Sequence, residues 1–324
     1  MQQLQLSDRD AGRLRAKQHT VVVLLHSPES DWSRQQLAGI ASTLGLYSAK
    51  VVEVIDCAFD TGTQNEALLR LAQNPPSAVI SIPIGNAEVA DAHRTVSRSG
   101  AKLTLLESAP TGLLPGTDYA ALVSADNFGL GEIAAELLSP HIPTGSPVGI
   151  VAYSADFYAT RQREMAFRKW MAHVRPDVTV RAAQFTDVNQ AGPAVDRLLA
   201  DFPSLAGLFT VWVDPAMQTV AALKAAGRHL PVTTVDLGLE AAIDMAGGGM
   251  IKGIGAQRPY DQGDAAATLT LLALAGREPP RYVALPGLSV TADNLRNAYQ
   301  TVWHTAAPPA LAAASQATRT ASRA

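Results

Sequence analysis

Between residues 20 and 304, short β-branched, apolar runs alternate with stretches of helical period. The runs fall at 21–25, 50–55, 78–82, 102–106 and 121–123, then at 148–153, 178–183, 207–211, 232–235 and 253–256. Val21-Val22-Val23-Leu24-Leu25 shows no in–out alternation. A strand of that kind is covered on both faces, as in a parallel sheet. Residues 33–44 place Leu37, Ile40, Ala41 and Leu44 near helical spacing. Residues 63–71, 129–138, 160–174 and 216–226 also read as helices, the last stopped by Gly227.

Strand, helix, strand repeated this often builds right-handed βαβ units and doubly wound sheets. Two sets of five runs exceed one small sheet. The pattern therefore predicts an α/β protein with two similar lobes, the pivot falling near Ser124-Ala125-Asp126-Asn127. Residues 258–285 carry a long apolar helix at 265–274. Residues 1–19 are expected to be a polar extension of mixed charge, without the apolar segment of a signal peptide. The Ala-, Pro-, Ser- and Thr-rich tail, 305–324, is expected to be disordered.

Composition narrows the function. The 324 residues are 47% hydrophobic and 17% charged, ample for a folded core. With 26 basic and 29 acidic residues, the net charge of −3 gives no broad footprint for a phosphate backbone, which argues against nucleic acid as a partner. Cys57, the single cysteine, can form neither an internal disulfide nor a thiolate metal site, and reads as a small buried apolar residue. No run of about 18 apolar residues is present to span a membrane.

In open α/β sheets, ligands bind beyond the carboxyl ends of the strands. The first set of strands leads there into His26, Asp31 and Trp32, then Asp56 and Phe59, then Asn86, then Glu107. The second leads into Asp156, Arg161 and Arg163, then Phe185, then Trp212 and Asp214, then Asp236, and finally Gln257. Carboxylates accept from neighbouring hydroxyls, guanidinium groups donate in a fork, and aromatic rings cover apolar C–H faces. That inventory suits a neutral, hydroxyl-rich ligand. Acids and arginines together are not tuned to one strong charge, which argues against phosphates and carboxylates.

No Gly-x-Gly-x-x-Gly follows the first strand, and no Gly-Lys-Ser/Thr phosphate loop, His-Glu-x-x-His or Gly-x-Ser-x-Gly occurs. No cofactor and no metal site is expected, since the seven histidines lack ligand spacing. Gly247-Gly248-Gly249 reads as a helix-to-strand turn. His26 is either a polar wall residue or an ordinary loop histidine.

Several segments together resemble one family: Ser30-Asp31-Trp32-Ser33-Arg34, Val123-Ser124-Ala125-Asp126-Asn127, Ala155-Asp156-Phe157, Thr160-Arg161-Gln162-Arg163, Thr234-Val235-Asp236-Leu237-Gly238 and Gly255-Ala256-Gln257-Arg258-Pro259-Tyr260-Asp261-Gln262-Gly263. The chain from Leu6 to Trp303 resembles the type I periplasmic binding proteins, the ribose-binding-like solute receptors of carbohydrate ABC transporters. The resemblance implies two Rossmann-like lobes with doubly wound parallel sheets, joined by a three-strand hinge, that close on a sugar or polyol in the cleft. Lobe 1 would comprise residues 20–124 and 258–285, and lobe 2 residues 125–257 and 286–304. It further implies a monomer without cofactor, not an enzyme, working at the periplasmic face with a membrane permease.

Carried over by motif, Asp31, Trp32, Phe59 and Glu107 of lobe 1 and Arg161, Phe185, Trp212, Asp214 and Asp236 of lobe 2 would meet the ligand, with Gln257 at the hinge. Two departures stand out. Glu107-Ser108 replaces the family's Asp followed by Asn or Arg, and Trp212-Val213-Asp214-Pro215 replaces a Trp-Asp order and leaves the direction of Asp214 open.

Plainer readings stand beside these. Trp32 could cap its helix against the core, Asp236 could be a helix cap, and Phe59 and Phe185 could be lobe packing. Arg161 and Arg163 cannot share one helix face; Arg161 is favoured for the cleft, with Arg163 pairing an acid. The alternative function is the sugar-sensing effector module of a repressor of the lactose-repressor type. The residues before Val21 are too few for its helix-turn-helix.

Overall fold

In the computed structural model, which describes residues 6–154 and 157–321, each apolar run is a strand. The chain opens with α1 (Asp8–Arg15), β1 (His19–Leu25), α2 (Asp31–Gly45), β2 (Ala49–Asp56), α3 (Thr61–Gln73), β3 (Ala78–Ser81), α4 (Ala90–Arg98), β4 (Lys102–Leu106) and β5 (Ala121–Ala125). There follow α5 (Asn127–Leu138), β6 (Val148–Tyr153), α6 (Tyr158–Val174), β7 (Val180–Phe185), α7 (Ala191–Asp201), β8 (Gly207–Thr210), α8 (Val213–Ala225), β9 (Val232–Val235), α9 (Leu239–Ala246) and β10 (Ile251–Ala256). Then come α10 (Pro259–Leu274), β11 (Tyr282–Leu285), β12 (Leu288–Val290), α11 (Leu295–Trp303) and α12 (Pro309–Ala321).

The elements segregate into two units. Unit 1 is Met1–Ala125 with Pro259–Leu285, and unit 2 is Asp126–Arg258 with Pro286–Ala324, so the chain changes unit three times. Unit 1 holds a sheet of order β11-β5-β4-β3-β1-β2, and unit 2 one of order β12-β10-β9-β8-β6-β7. Both are the same doubly wound arrangement, as the strand pattern requires. The first is parallel throughout; the second is parallel except for β12, which runs against β10.

Burial explains the missing alternation in β1. Val21, Val23 and Leu25 pack with Ile40 and Leu44 of α2 and Ala266 and Leu269 of α10. Val22 and Leu24 face the opposite layer, with Leu68 of α3 and Val96 of α4. Each side chain finds a helix layer, so polar positions would leave unpaired groups in either core. Glycines let α2 and α10 come together: a Cβ on Gly39 would overlap the Tyr260 carbonyl, and one on Gly263 the Gln36 carbonyl. Beside this contact the Gln36 side chain donates to Gln262 at 2.8 Å.

Both termini carry helices. The N-terminal extension contains α1, capped by Ser7 and docked through buried Leu14 and an Asp10–Arg277 ion pair of 2.9 Å. Hydrogen bonds from Ser7 and Arg277 hold the Asp10 carboxyl down at about 2. The tail expected to be disordered instead forms α12, which lies on α9 with Leu311 buried. Pro309 at its first position and an alanine-rich stretch favour helix, and one leucine anchors it. The helices α4, α7 and α9 were not marked by the apolar pattern, being short and mixed in polarity.

Candidate functional site

At the carboxyl edge of the unit 1 sheet, hydrogen bonding continues past the strand ends. Cys57 N–H donates to the Leu25 carbonyl and Phe59 N–H to that of His26, both at 2.9 Å. Ala58 and Phe59 take φ of 49° and 56°, and Asp60 N–H closes the turn on the Cys57 carbonyl at 2.8 Å. Two successive non-glycine residues in the left-handed region are costly, and persist where surroundings over-determine them. The turn sets Phe59, 67% exposed, with its ring 4.7 Å from that of His26. Trp32 approaches His26 edge-on at 5.6 Å from the first turn of α2, which Ser30 caps.

His26, Trp32 and Phe59 thus form one aromatic surface. His26 Nδ1 and Trp32 Nε1 are buried without hydrogen-bond partners. Desolvation pushes the His26 pKa down and so favours the neutral ring, while the Asp56 carboxylate pulls it the other way. Asp31 is exposed and pairs with Arg34 at 2.6 Å. Cys57 is fully buried and its thiol is pushed up to about 11 by desolvation, as suits a packing residue. Glu107, directly after β4, is half-buried with φ of 66°, and its N–H donates to the Val123 carbonyl at 2.8 Å.

The carboxyl edge of unit 2 carries a second aromatic group. Tyr153 ends β6, Phe185 ends β7 and Trp212 precedes α8, with ring centroids 5.3 to 5.5 Å apart. Phe185 is 2% exposed and is therefore the floor beneath the other rings rather than a surface residue. Trp212 is half-buried. Desolvation first, then the nearby carboxylates of Asp236 and Glu240, raise the Asp214 pKa, while a hydrogen bond from Trp212 opposes them. Asp214 stands exposed in the first turn of α8.

Asp236 follows β9 with φ of 76° and accepts from Gln257 Nε2 at 2.7 Å. It does not cap α9, whose first cap is Gly238. Arg163, 4% exposed, lies 3.8 Å from the Asp236 carboxylate. It also donates to Asn127 Oδ1 and to the Val211 carbonyl, each at 3.0 Å. Arg161, two residues earlier on α6, is exposed. Helical spacing was the available signal: Ala159, Thr160, Arg163, Ala166 and Phe167 form the buried face of α6. Asp126 caps α5 through Gly129 N–H at 2.9 Å. Tyr153, at the end of β6, and Asn127, in the pivot segment, also belong to the cluster. Asp156 lies outside the described residues.

Each of the two doubly wound units thus carries aromatic rings and carboxylates on the carboxyl edge of its sheet. Residues 21–278 match the family model described as "Periplasmic binding protein domain", and the chain belongs to that family. Solved structures resemble the chain at low identity. An ABC transporter solute binding protein from Agrobacterium vitis, bound with alpha-D-tagatopyranose, gives a TM-score of 0.78 at 19% identity, covering 90% of this chain and 100% of its own. A periplasmic ribose ABC transporter protein from Conexibacter woesei gives 0.79 at 15%, covering 88% and 96%. A solute binding protein from Mycobacterium smegmatis with bound glycerol gives 0.77 at 18%, covering 90% and 100%. No curated protein sequence matches the chain. No helix among the described residues is long and apolar enough to cross a membrane.

Proposed function

We propose that this chain is the solute-binding receptor of an ABC importer and that its ligand is a neutral sugar or polyol. The observation that carries the reading is the pairing, in each unit, of an aromatic surface with carboxylates at the carboxyl edge of the sheet. His26, Trp32 and Phe59 stand at the same sheet edge as Asp31 and Glu107, and Tyr153, Phe185 and Trp212 with Asp214 and Asp236. Rings cover the C–H faces of a sugar and carboxylates accept from its hydroxyls. Arg163 already neutralises Asp236, so the unit 2 cluster does not call for a charged guest.

In this reading Asp31, Trp32, Phe59 and Glu107 contact the ligand from unit 1, and Arg161, Trp212, Asp214 and Asp236 from unit 2. Phe185 supports Trp212 from beneath, and Gln257 orients Asp236. The receptor acts as a monomer at the periplasmic face, hands its ligand to a membrane permease, and uses no cofactor. The relatives bound to tagatopyranose and glycerol, and one from Agrobacterium radiobacter in complex with D-arabinose, support a polyhydroxy ligand.

A thermal-shift screen over D-ribose, D-arabinose, D-tagatose, D-fucose and glycerol tests the proposal. A ligand at a hundredfold excess over Kd stabilises the fold by about 2.7 kcal/mol, a readily measured rise in Tm. Closure of the units on the ligand would show as a smaller radius of gyration in solution scattering. A flat response to every sugar and polyol, with binding of a charged solute instead, would overturn the assignment.

A further inference from the structure

We propose that Trp303 is a positioning residue for Asp236, acting from the end of α11 through the loop between β9 and α9. The inference rests on the reading of Asp236 as a ligand contact. Asp236 holds a φ of 76°, a conformation an L-residue keeps only under restraint. Beside the Arg163 ion pair, three hydrogen bonds among the described residues act on Asp236 itself. Its N–H donates to the Gly255 carbonyl at 3.0 Å, its carbonyl accepts from Gly238 N–H at 3.2 Å, and its carboxylate accepts from Gln257 at 2.7 Å.

The next residue needs its own restraint. The Leu237 side chain is buried, and its carbonyl lies outside the helical ladder, because Gly238 supplies the carbonyl that Ala242 N–H reaches at 3.0 Å. Gly238 has no side chain to cap α9. The Leu237 carbonyl is met instead by the indole N–H of Trp303 at 3.0 Å. On the other side of the loop, Gly238 is hemmed by Val213, between Trp212 and Asp214: a Cβ there would stand 3.0 Å from Val213 Cγ2. The loop is thus gripped between the segment that carries Trp212 and Asp214 and the indole of α11. Without the indole donor, the Leu237 carbonyl loses its partner and its peptide plane is released to turn, taking the backbone of Asp236 with it.

The test is a double-mutant cycle on the full chain, using the tightest-binding member of the sugar and polyol panel and isothermal calorimetry. Trp303→Phe keeps a ring and removes the donor; Trp303→Tyr is measured beside it in case the first variant does not fold. The expected result is an affinity at least fivefold weaker for either variant in the parent chain, and a change of less than twofold when Asp236 is already alanine. A purely structural role would weaken binding by the same factor in both backgrounds. That result, or unchanged affinity in the parent chain, overturns the inference alone. If Asp236→Ala itself leaves affinity unchanged, or no panel member binds, the receptor reading of Asp236 fails first and the inference falls with it.

Discussion

Glu107 and Asp236 hold equivalent places in the two sheets. Each follows the fourth strand of its unit, each is left-handed (φ of 66° and 76°), and each donates its N–H to the neighbouring strand, to Val123 at 2.8 Å and to Gly255 at 3.0 Å. The same backbone device presents a carboxylate at each carboxyl edge. The left-handed geometry costs an L-residue about 1–2 kcal/mol, part of which glycine returns in chain entropy. Asp236→Ala is expected to weaken sugar or polyol binding at least tenfold. Asp236→Gly should lose binding equally yet be more stable than the alanine variant by roughly 0.5–1 kcal/mol. Calorimetry and urea unfolding measure the two effects separately. Equal stability of the two variants would show that the backbone at 236 is not strained.

Arg163 and Arg161 should behave differently. Arg163 is buried and bonded to Asn127 and Val211 beside Asp236, so Arg163→Met strands several acceptors at once. A loss of about 2–3 kcal/mol in unfolding free energy, together with weakened ligand affinity, is expected. Arg161 is exposed, and Arg161→Ala should change stability by less than about 0.5 kcal/mol. If Arg161 contacts ligand, its alanine variant binds at least tenfold more weakly; unchanged affinity removes it from the site and leaves Arg163 as the arginine that matters.

His93 links stability to pH. Its Nδ1 lies 2.8 Å from the Val89 carbonyl, which can only accept, so Nδ1 carries the proton and Nε2, 2.9 Å from Ser81 Oγ, takes the hydroxyl's. Burial pushes the pKa down from 6.5 to about 4. The folded state thus favours the neutral ring, and the unfolded chain binds the extra proton between those values. Stability from this group is complete above pH 6.5 and declines as pH falls toward 4, on the order of 3 kcal/mol in all. Urea midpoints from pH 7.5 to 4.5 should fall less steeply for His93→Gln, which begins less stable at neutral pH. Parallel pH profiles for the two chains would exclude this linkage.

The contact between α2 and α10 should not tolerate a methyl group. At Gly39 a Cβ meets the backbone carbonyl of Tyr260, which has no side-chain freedom with which to yield. Gly39→Ala is expected to cost about 1–3 kcal/mol, as overpacked cores do. Gly12→Ala in α1, where a Cβ meets nothing within 4 Å, is the control and should be neutral or stabilising. Similar melting temperatures for both variants would mean that the helices separate freely.

The order of the strands, the parallel sheets and the strand ends that carry polar chemistry were written in the sequence. An apolar run such as Val21–Leu25, without alternation, can be buried only between two helix layers, and that constraint is local. The choice between Arg161 and Arg163 was also present in helical spacing, since Arg163 shares the buried face with Ala159, Ala166 and Phe167. Other features came from parts of the chain brought together in space. The left-handed turn at Ala58 and Phe59 exists because the β1–β2 bonding continues beyond the strands. The helical tail is held by one buried leucine against α9, a contact that no local alanine-rich composition announces. Phe185 is buried because Tyr153 and Trp212, 32 residues before it and 27 after, pack against it. Periodicity records which face of an element is buried; tertiary structure alone decides which distant side chain does the burying.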